Sequence, residues 1–247
     1  RDIKMDKQLA LPGYQYPEMQ AEERQLTASA LLGLAMEEPV LYMPSFADLA
    51  GDVYAGYFLS WFIKNCRYGK SIVICDEEMS ALFGFSKSRW HSVRRTLKGL
   101  NYLTVKREGG QSHYSLNESY FSNAQRQSSI ILPAIPIERI TAAAMLDKGL
   151  RMQDVLFYSV VREQQPYLPP EQRDSYSNWF EHNNVQQQRL AVLTTEEQLK
   201  AINGLYKAGL LQVEQIRQLN IVRYRIDYDA ASDLAWQYIH TKVEAEA

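Results

Sequence analysis

The residues best suited to chemistry lie in one stretch, Ser86–Leu100, which reads SKSRWHSVRRTLKGL. On a helical wheel at about 100° per residue, Trp90, Val93, Leu97 and Leu100 share one face and form a candidate core stripe. Ser88, His91, Ser92 and Arg95 point the opposite way. Lys87, Arg94 and Lys98 flank them, and Arg89 sits nearer the core edge. The outward face is basic, short-chained and rich in hydrogen-bond donors. A helix entering a DNA major groove needs that composition, because small side chains let the backbone approach while Arg and Lys reach guanine edges or phosphates. Ser88, His91, Ser92 and Arg95 are the candidates to face bases, and the flanking cations are the candidates to anchor phosphates. A solvated charged helix face would have the same composition.

Little in the chain suits catalysis. Its four histidines are His91, His113, His182 and His240, and none stands in a His-Glu-x-x-His or Cys-x-x-Cys setting, so no metal site is expected. There is no Gly-x-x-x-x-Gly-Lys-Ser/Thr loop for a nucleotide, no Gly-x-Ser-x-Gly elbow and no His-x-His to accompany a tyrosine nucleophile. The acidic pairs Glu77-Glu78 and Glu196-Glu197 fall in first helical turns, where the helix dipole favours them. The expectation is a binding protein rather than an enzyme, with no cofactor.

Several elements must hold the basic helix. A β-branched run, Ile72–Ile74, stops at Asp76, which is placed to cap a short helix over Glu77–Phe83. Gly84-Phe85 breaks that helix, and Ser86 can cap the next. Two strand-like runs follow, Tyr102–Arg107 and His113–Asn117, joined by a loop at Glu108-Gly109-Gly110-Gln111. The hairpin adds Lys106, Arg107 and His113 to the candidate DNA contacts. Upstream, Leu49–Cys66 reads as one helix whose many aromatics require burial on more than one side.

Strand, helix, tight turn, helix and hairpin make the order of a helix-turn-helix with a wing. Over Asp48–Asn117 the chain resembles the winged-helix domains of phage and plasmid replication proteins. The carriers are SWFIKNCRYGK, DEEMSALFGFSKSRWHSVRRTLKGL and YLTVKREGGQSHYSLN. The resemblance implies that Lys87–Gly99 reads the major groove and that the tip at Lys106–His113 touches backbone or minor groove. Trp90 and His91 are bulkier than is usual at the start of such a helix.

The remainder of the 247 residues is long enough for a second domain. Residues 1–45 read as an arm with a helix at Glu18–Glu38, ending in an extended PVLYMP that could pair between subunits. Residues 46–122 form the first winged unit, and 123–137 a linker with a short strand. Within 138–247, helices are expected at Glu138–Leu146, Met152–Gln164, Glu171–Asn183 and Asp233–Val243. Thr194-Thr195-Glu196-Glu197 is a capping-box start to a helix whose expected core stripe is Leu199, Ile202, Leu205 and Tyr206. Two strands, Leu210–Ile216 and Ile221–Asp227, should follow. Aligning Gly99 with Gly204 suggests a weak internal repeat offset by an insertion, hence a second winged unit. Its outward positions Glu196, Lys200 and Asn203 are close to neutral, so any DNA contact there falls to the hairpin, at Arg217 and Arg223. Docking of a second copy or another protein is the competing use. The expected class is α+β, mainly helical with small hairpins, as two winged helix-turn-helix domains in tandem.

Charge distribution supports the DNA reading. Trp61–Ser115 carries ten cations and four anions, +6, in a chain totalling −2, which leaves −8 for the rest. Cys66 and Cys75 lack metal-type spacing and suit buried thiols in a reducing compartment such as the cytoplasm. No run approaches the ~20 apolar residues of a membrane span. The chain starts at Arg1 rather than Met, as a trimmed or internal fragment would. The expected function is sequence-specific binding of double-stranded DNA, in replication initiation, maintenance or transcription regulation of a plasmid, phage or mobile element. A winged-helix adaptor that recruits a helicase or a structural-maintenance complex is the alternative.

Overall fold

The computed structural model describes residues 3–4, 39–66, 71–108, 111–119, 121–122, 133–164, 179–181, 193–216 and 221–244. The expected arm at 5–17, the helix at Glu18–Glu38 and the hairpin tip at 109–110 lie outside them, as do most of the linker and Arg217. The fold is α+β, with helices around small, mostly antiparallel sheets. No helix among the described residues is long and apolar enough to cross a membrane.

The first half runs β1 (Ile3–Lys4), β2 (Val40–Tyr42), α1 (Pro44–Ala50), α2 (Val53–Asn65), β3 (Ser71–Ile74), α3 (Asp76–Phe83), α4 (Lys87–Gly99), β4 (Leu103–Glu108) and β5 (Gln111–Leu116). The helix expected at Leu49–Cys66 is broken. Gly51 takes the left-handed conformation (φ 63°), and the Asp52 carboxylate accepts from Tyr54 N (2.7 Å) and Ala55 N (2.9 Å), starting α2 afresh. Every residue from Ala55 to Phe62 is buried, as expected of a helix apolar on all sides. Phe58 meets Trp90 of α4 at 5.1 Å between ring centroids, and Trp61 meets Phe83 of α3 at 5.2 Å.

The cap of α3 is Cys75, not Asp76. Cys75 Sγ accepts from Glu78 N at 3.3 Å, and the Glu78 carboxylate accepts from Cys75 N at 3.1 Å. Ser86 caps α4 as expected, accepting from Arg89 N. Of the four residues assigned to the α4 core stripe, Trp90, Val93 and Leu97 are fully buried, whereas Leu100 is 39% exposed.

The second half runs β6 (Ile135–Ile137), α5 (Arg139–Asp147), α6 (Met152–Gln164), β7 (Phe180–Glu181), α7 (Thr195–Lys207), β8 (Leu211–Ile216), β9 (Ile221–Ile226) and α8 (Tyr228–Glu244). The expected helix at Glu171–Asn183 is overturned at its end, because Phe180–Glu181 pairs as a strand with Tyr224 and Arg223.

This half repeats the first more closely than the residues alone suggest. Lys87–Gly99 and Thr195–Lys207 are both 13-residue helices at a spacing of 108. The sheet orders correspond, β3-β5-β4 and β7-β9-β8. Val105 pairs with Tyr114 as Val213 pairs with Tyr224, and Ile72 faces Tyr114 as Phe180 faces Tyr224. No insertion separates α4–β4 from α7–β8. The glycine alignment misled because Gly99 and Gly204 are not turn residues. The left-handed turns are at Asn101 (φ 57°) and Gly209 (φ 73°), while a Cβ on Gly204 would lie 3.4 Å from the Asp154 carboxylate.

The two halves share one core. β2 of the first half pairs with β6, the first strand of the second, Val40 opposite Ile137 and Tyr42 opposite Ile135, so one edge of PVLYMP is paired within the chain. Tyr54 Oη accepts from Met152 N at 3.1 Å, and Tyr238 Oη donates to Ala81 O at 2.7 Å. The Arg139 guanidinium lies 5.5 Å from the Trp61 ring centroid.

Candidate nucleic-acid interface

Asp76 organises the outward face of α4. Its carboxylate accepts from Trp90 Nε1 (3.0 Å) and Tyr114 Oη (2.8 Å), and from Arg94 Nη1 at both oxygens (2.8 and 2.9 Å). One carboxylate at the start of α3 thus fixes two side chains of α4 and one of β5. This is why Asp76 does not cap its own helix. Burial alone would raise its pKa. The hydrogen bonds from Trp90, Tyr114 and Arg94, with the Arg94 charge, together bring it below the ordinary carboxylate value. The same contacts raise the Arg94 guanidinium against its own desolvation.

Arg94, expected to anchor phosphate, is half-buried and held by Asp76. Its second terminal nitrogen, Nη2, lies 2.8 Å from His91 Nδ1. Lys87, Ser88, Arg89, His91, Arg95 and Lys98 are exposed, and Ser92 is half-buried. Lys87 Nζ lies 3.6 Å from Glu77 in a pair open to solvent, which binds weakly. Arg89 stacks over the Tyr54 ring at 4.1 Å, a cation–π contact that leaves its edge outward. Arg95 and Lys98 make no ion pair among the described residues.

The first turn of α4 has no acidic residue and carries Lys87 and Arg89 instead. Cations there oppose the helix dipole by about 0.3–1 kcal/mol each. By contrast, α3 and α7 place Asp76, Glu77, Glu78 and Glu196, Glu197 in their first turns.

On the hairpin, Lys106 and Arg107 are exposed. Lys106 stands opposite His113, and Arg107 opposite Ser112. His113 is half-buried on the middle strand of the sheet.

The equivalent surface of the second repeat differs. Where α4 has Lys87, Ser88, His91, Arg95 and Lys98, α7 has Thr195, Glu196, Leu199, Asn203 and Tyr206. Leu199 and Tyr206, assigned to the core from the sequence, are 59% and 58% exposed. The buried stripe is Ala201 and Leu205. Lys200 pairs with Glu196 at 2.5 Å. Arg223, expected as a hairpin contact, is tied down as well. It is buried, with its Nε donating to Glu214 at 2.8 Å and its guanidinium 5.1 Å from the Trp179 ring centroid, so it does not reach outward.

The sequence reading gave Asp76 only a capping role and gave Tyr54 none. Asp76 lies 18 residues from Arg94 and 38 from Tyr114, separations that no helical or strand period connects.

Comparison with family models, with curated proteins and with solved structures gives no match in any of the three. Among the described residues, no group of three or more His, Cys, Asp or Glu side chains is placed to hold a metal ion.

Proposed function

We propose that the chain binds double-stranded DNA in a sequence-specific manner, with α4 in the major groove and the β4–β5 hairpin on the flanking backbone. In this reading the two repeats are winged-helix units in tandem, and the protein serves replication initiation or maintenance, or transcription regulation, of a plasmid, phage or similar element. The observation that carries it is the pair Arg95 and Lys98. Both are exposed and free of ion pairs among the described residues, on a helix that Asp76 locks to its neighbours. Arg95 is the base reader and Lys98 a phosphate anchor. The test is a gel shift with duplexes selected from a random pool, at two salt concentrations. Wild type should lose affinity steeply as salt rises. Arg95→Ala should cost about 1–3 kcal/mol and relax the selected sequence. Absence of any DNA complex at low salt would falsify the reading.

The exposed Leu199 and Tyr206 favour a second use for the second repeat, docking a replication or assembly protein or a second copy through α7. Leu199→Glu with Tyr206→Glu should then leave DNA affinity unchanged. A drop in DNA affinity would place α7 on the nucleic acid instead.

A further inference from the structure

The contact between Arg94 and His91 has a consequence for base recognition. A guanidinium carries only hydrogen-bond donors, so His91 Nδ1, 2.8 Å from Arg94 Nη2, must be the acceptor. With Nδ1 accepting, the ring's N–H donor is Nε2. Arg94 cannot turn to another tautomer's needs, because its Nη1 is held between both oxygens of Asp76 at 2.8 and 2.9 Å. Asp76 is fixed in turn by Trp90 Nε1 and Tyr114 Oη. His91 is exposed on the same face as Arg95, one helical turn away.

We infer that His91 is a sequence-determining residue, presented by the Asp76–Arg94 pair as an Nε2–H donor that takes an acceptor on a base edge. In the major groove the acceptors are guanine O6 and N7, adenine N7 and thymine O4, whereas cytosine presents an amino donor. Guanine offers two adjacent acceptors and is the preferred partner. Arg94 and Asp76 touch no base and act as positioning residues. This inference rests on the proposed DNA binding and adds which atom of His91 reads the base.

The test uses the full chain and a duplex pool with a randomised core, from which bound molecules are sequenced for wild type, His91→Phe, Arg94→Lys and Lys87→Ala. His91→Phe keeps a ring and removes the donor. It should erase the guanine preference at one position, lower affinity for the selected duplex roughly tenfold and leave the other positions intact. Arg94→Lys keeps a charge for Asp76 but cannot bridge carboxylate and imidazole, so the same single position should blur. Lys87→Ala should weaken all sequences alike. Nitrogen-detected spectra of the histidine rings in free wild type should show His91 as the Nε2–H tautomer, a signature that a purely structural role for Arg94 would not move in Arg94→Lys. A wild type that selects a sequence, with His91→Phe selecting the same one at equal affinity, overturns the inference and leaves the DNA reading standing. An Nδ1–H tautomer in wild type also overturns it. No DNA complex with wild type overturns both.

Discussion

At the scale of single residues, the protein depends on where Asp76 sends its carboxylate. Three donors on three side chains converge on it, and it is mostly shielded from solvent. Asp76→Asn keeps the shape but loses the charge that holds Arg94, and should destabilise the fold by about 3 kcal/mol. Chemical denaturation of both proteins checks this. The folded Asp76 titrates below its unfolded value of about 4. Its stabilisation is therefore complete above about pH 4 and disappears as pH falls through the lowered folded value. The stability difference between wild type and Asp76→Asn should shrink over that acidic range. Cys75 has a quieter role. Its thiol caps α3, and burial pushes its pKa up to about 11, so it should react slowly with alkylating reagents at pH 7 in the folded protein.

At the scale of elements, glycines at helix ends separate local strain from packing. Gly51 and Gly84 both end helices in the left-handed conformation, φ 63° and 64°. A Cβ at Gly51 meets nothing within 4 Å, whereas at Gly84 it would lie 2.1 Å from Ala143 O of α5. Gly51→Ala should cost about 1 kcal/mol, the backbone penalty alone. Gly84→Ala should cost more than about 3 kcal/mol, because α3 cannot keep its seat on α5. Thermal or urea unfolding of the two variants measures the difference. The same elements also define the candidate interface. α4 and α7 occupy equivalent places in their repeats, yet α4 presents Lys87, Arg89, Arg95 and Lys98 where α7 presents only Lys200, paired with Glu196, and Lys207 at its end, so the repeat has diverged on its surface while keeping its strand register.

At the scale of the molecule, the two repeats are joined rather than strung along a linker. The β2–β6 ladder, the shared core and the Tyr238–Ala81 hydrogen bond all cross from one half to the other. The chain should unfold in one transition, with fluorescence and circular dichroism coincident. Tyr238→Phe leaves the Ala81 carbonyl without that donor and should lower the midpoint of that single transition, at a cost of about 1 kcal/mol. Two separated transitions in wild type would show that the halves fold independently. That joint places the α4 face relative to α7, so under the proposed reading a DNA complex and a protein docked on α7 would share one geometry.

Local spacing alone determined a good deal. The 3.6-residue period and the Ser86 and Thr194 caps place α4 and α7, and α6 lies at Met152–Gln164 as the apolar pattern requires, because these are properties of neighbours in the chain. The run of charge over Trp61–Ser115 was equally legible, since it needs only counting. What tertiary structure alone decided is which cations are free to act. Arg94 and Arg95 are adjacent in sequence, yet one is bound to a carboxylate 18 residues away and the other faces solvent. Arg223 looks like a hairpin tip cation and is buried against Glu214 and Trp179. Leu199 and Tyr206 fit an apolar stripe, but α7 is rolled so that Ala201 and Leu205 take the core. Periodicity names the faces of a helix. Only the partners that crowd against it settle which face is covered.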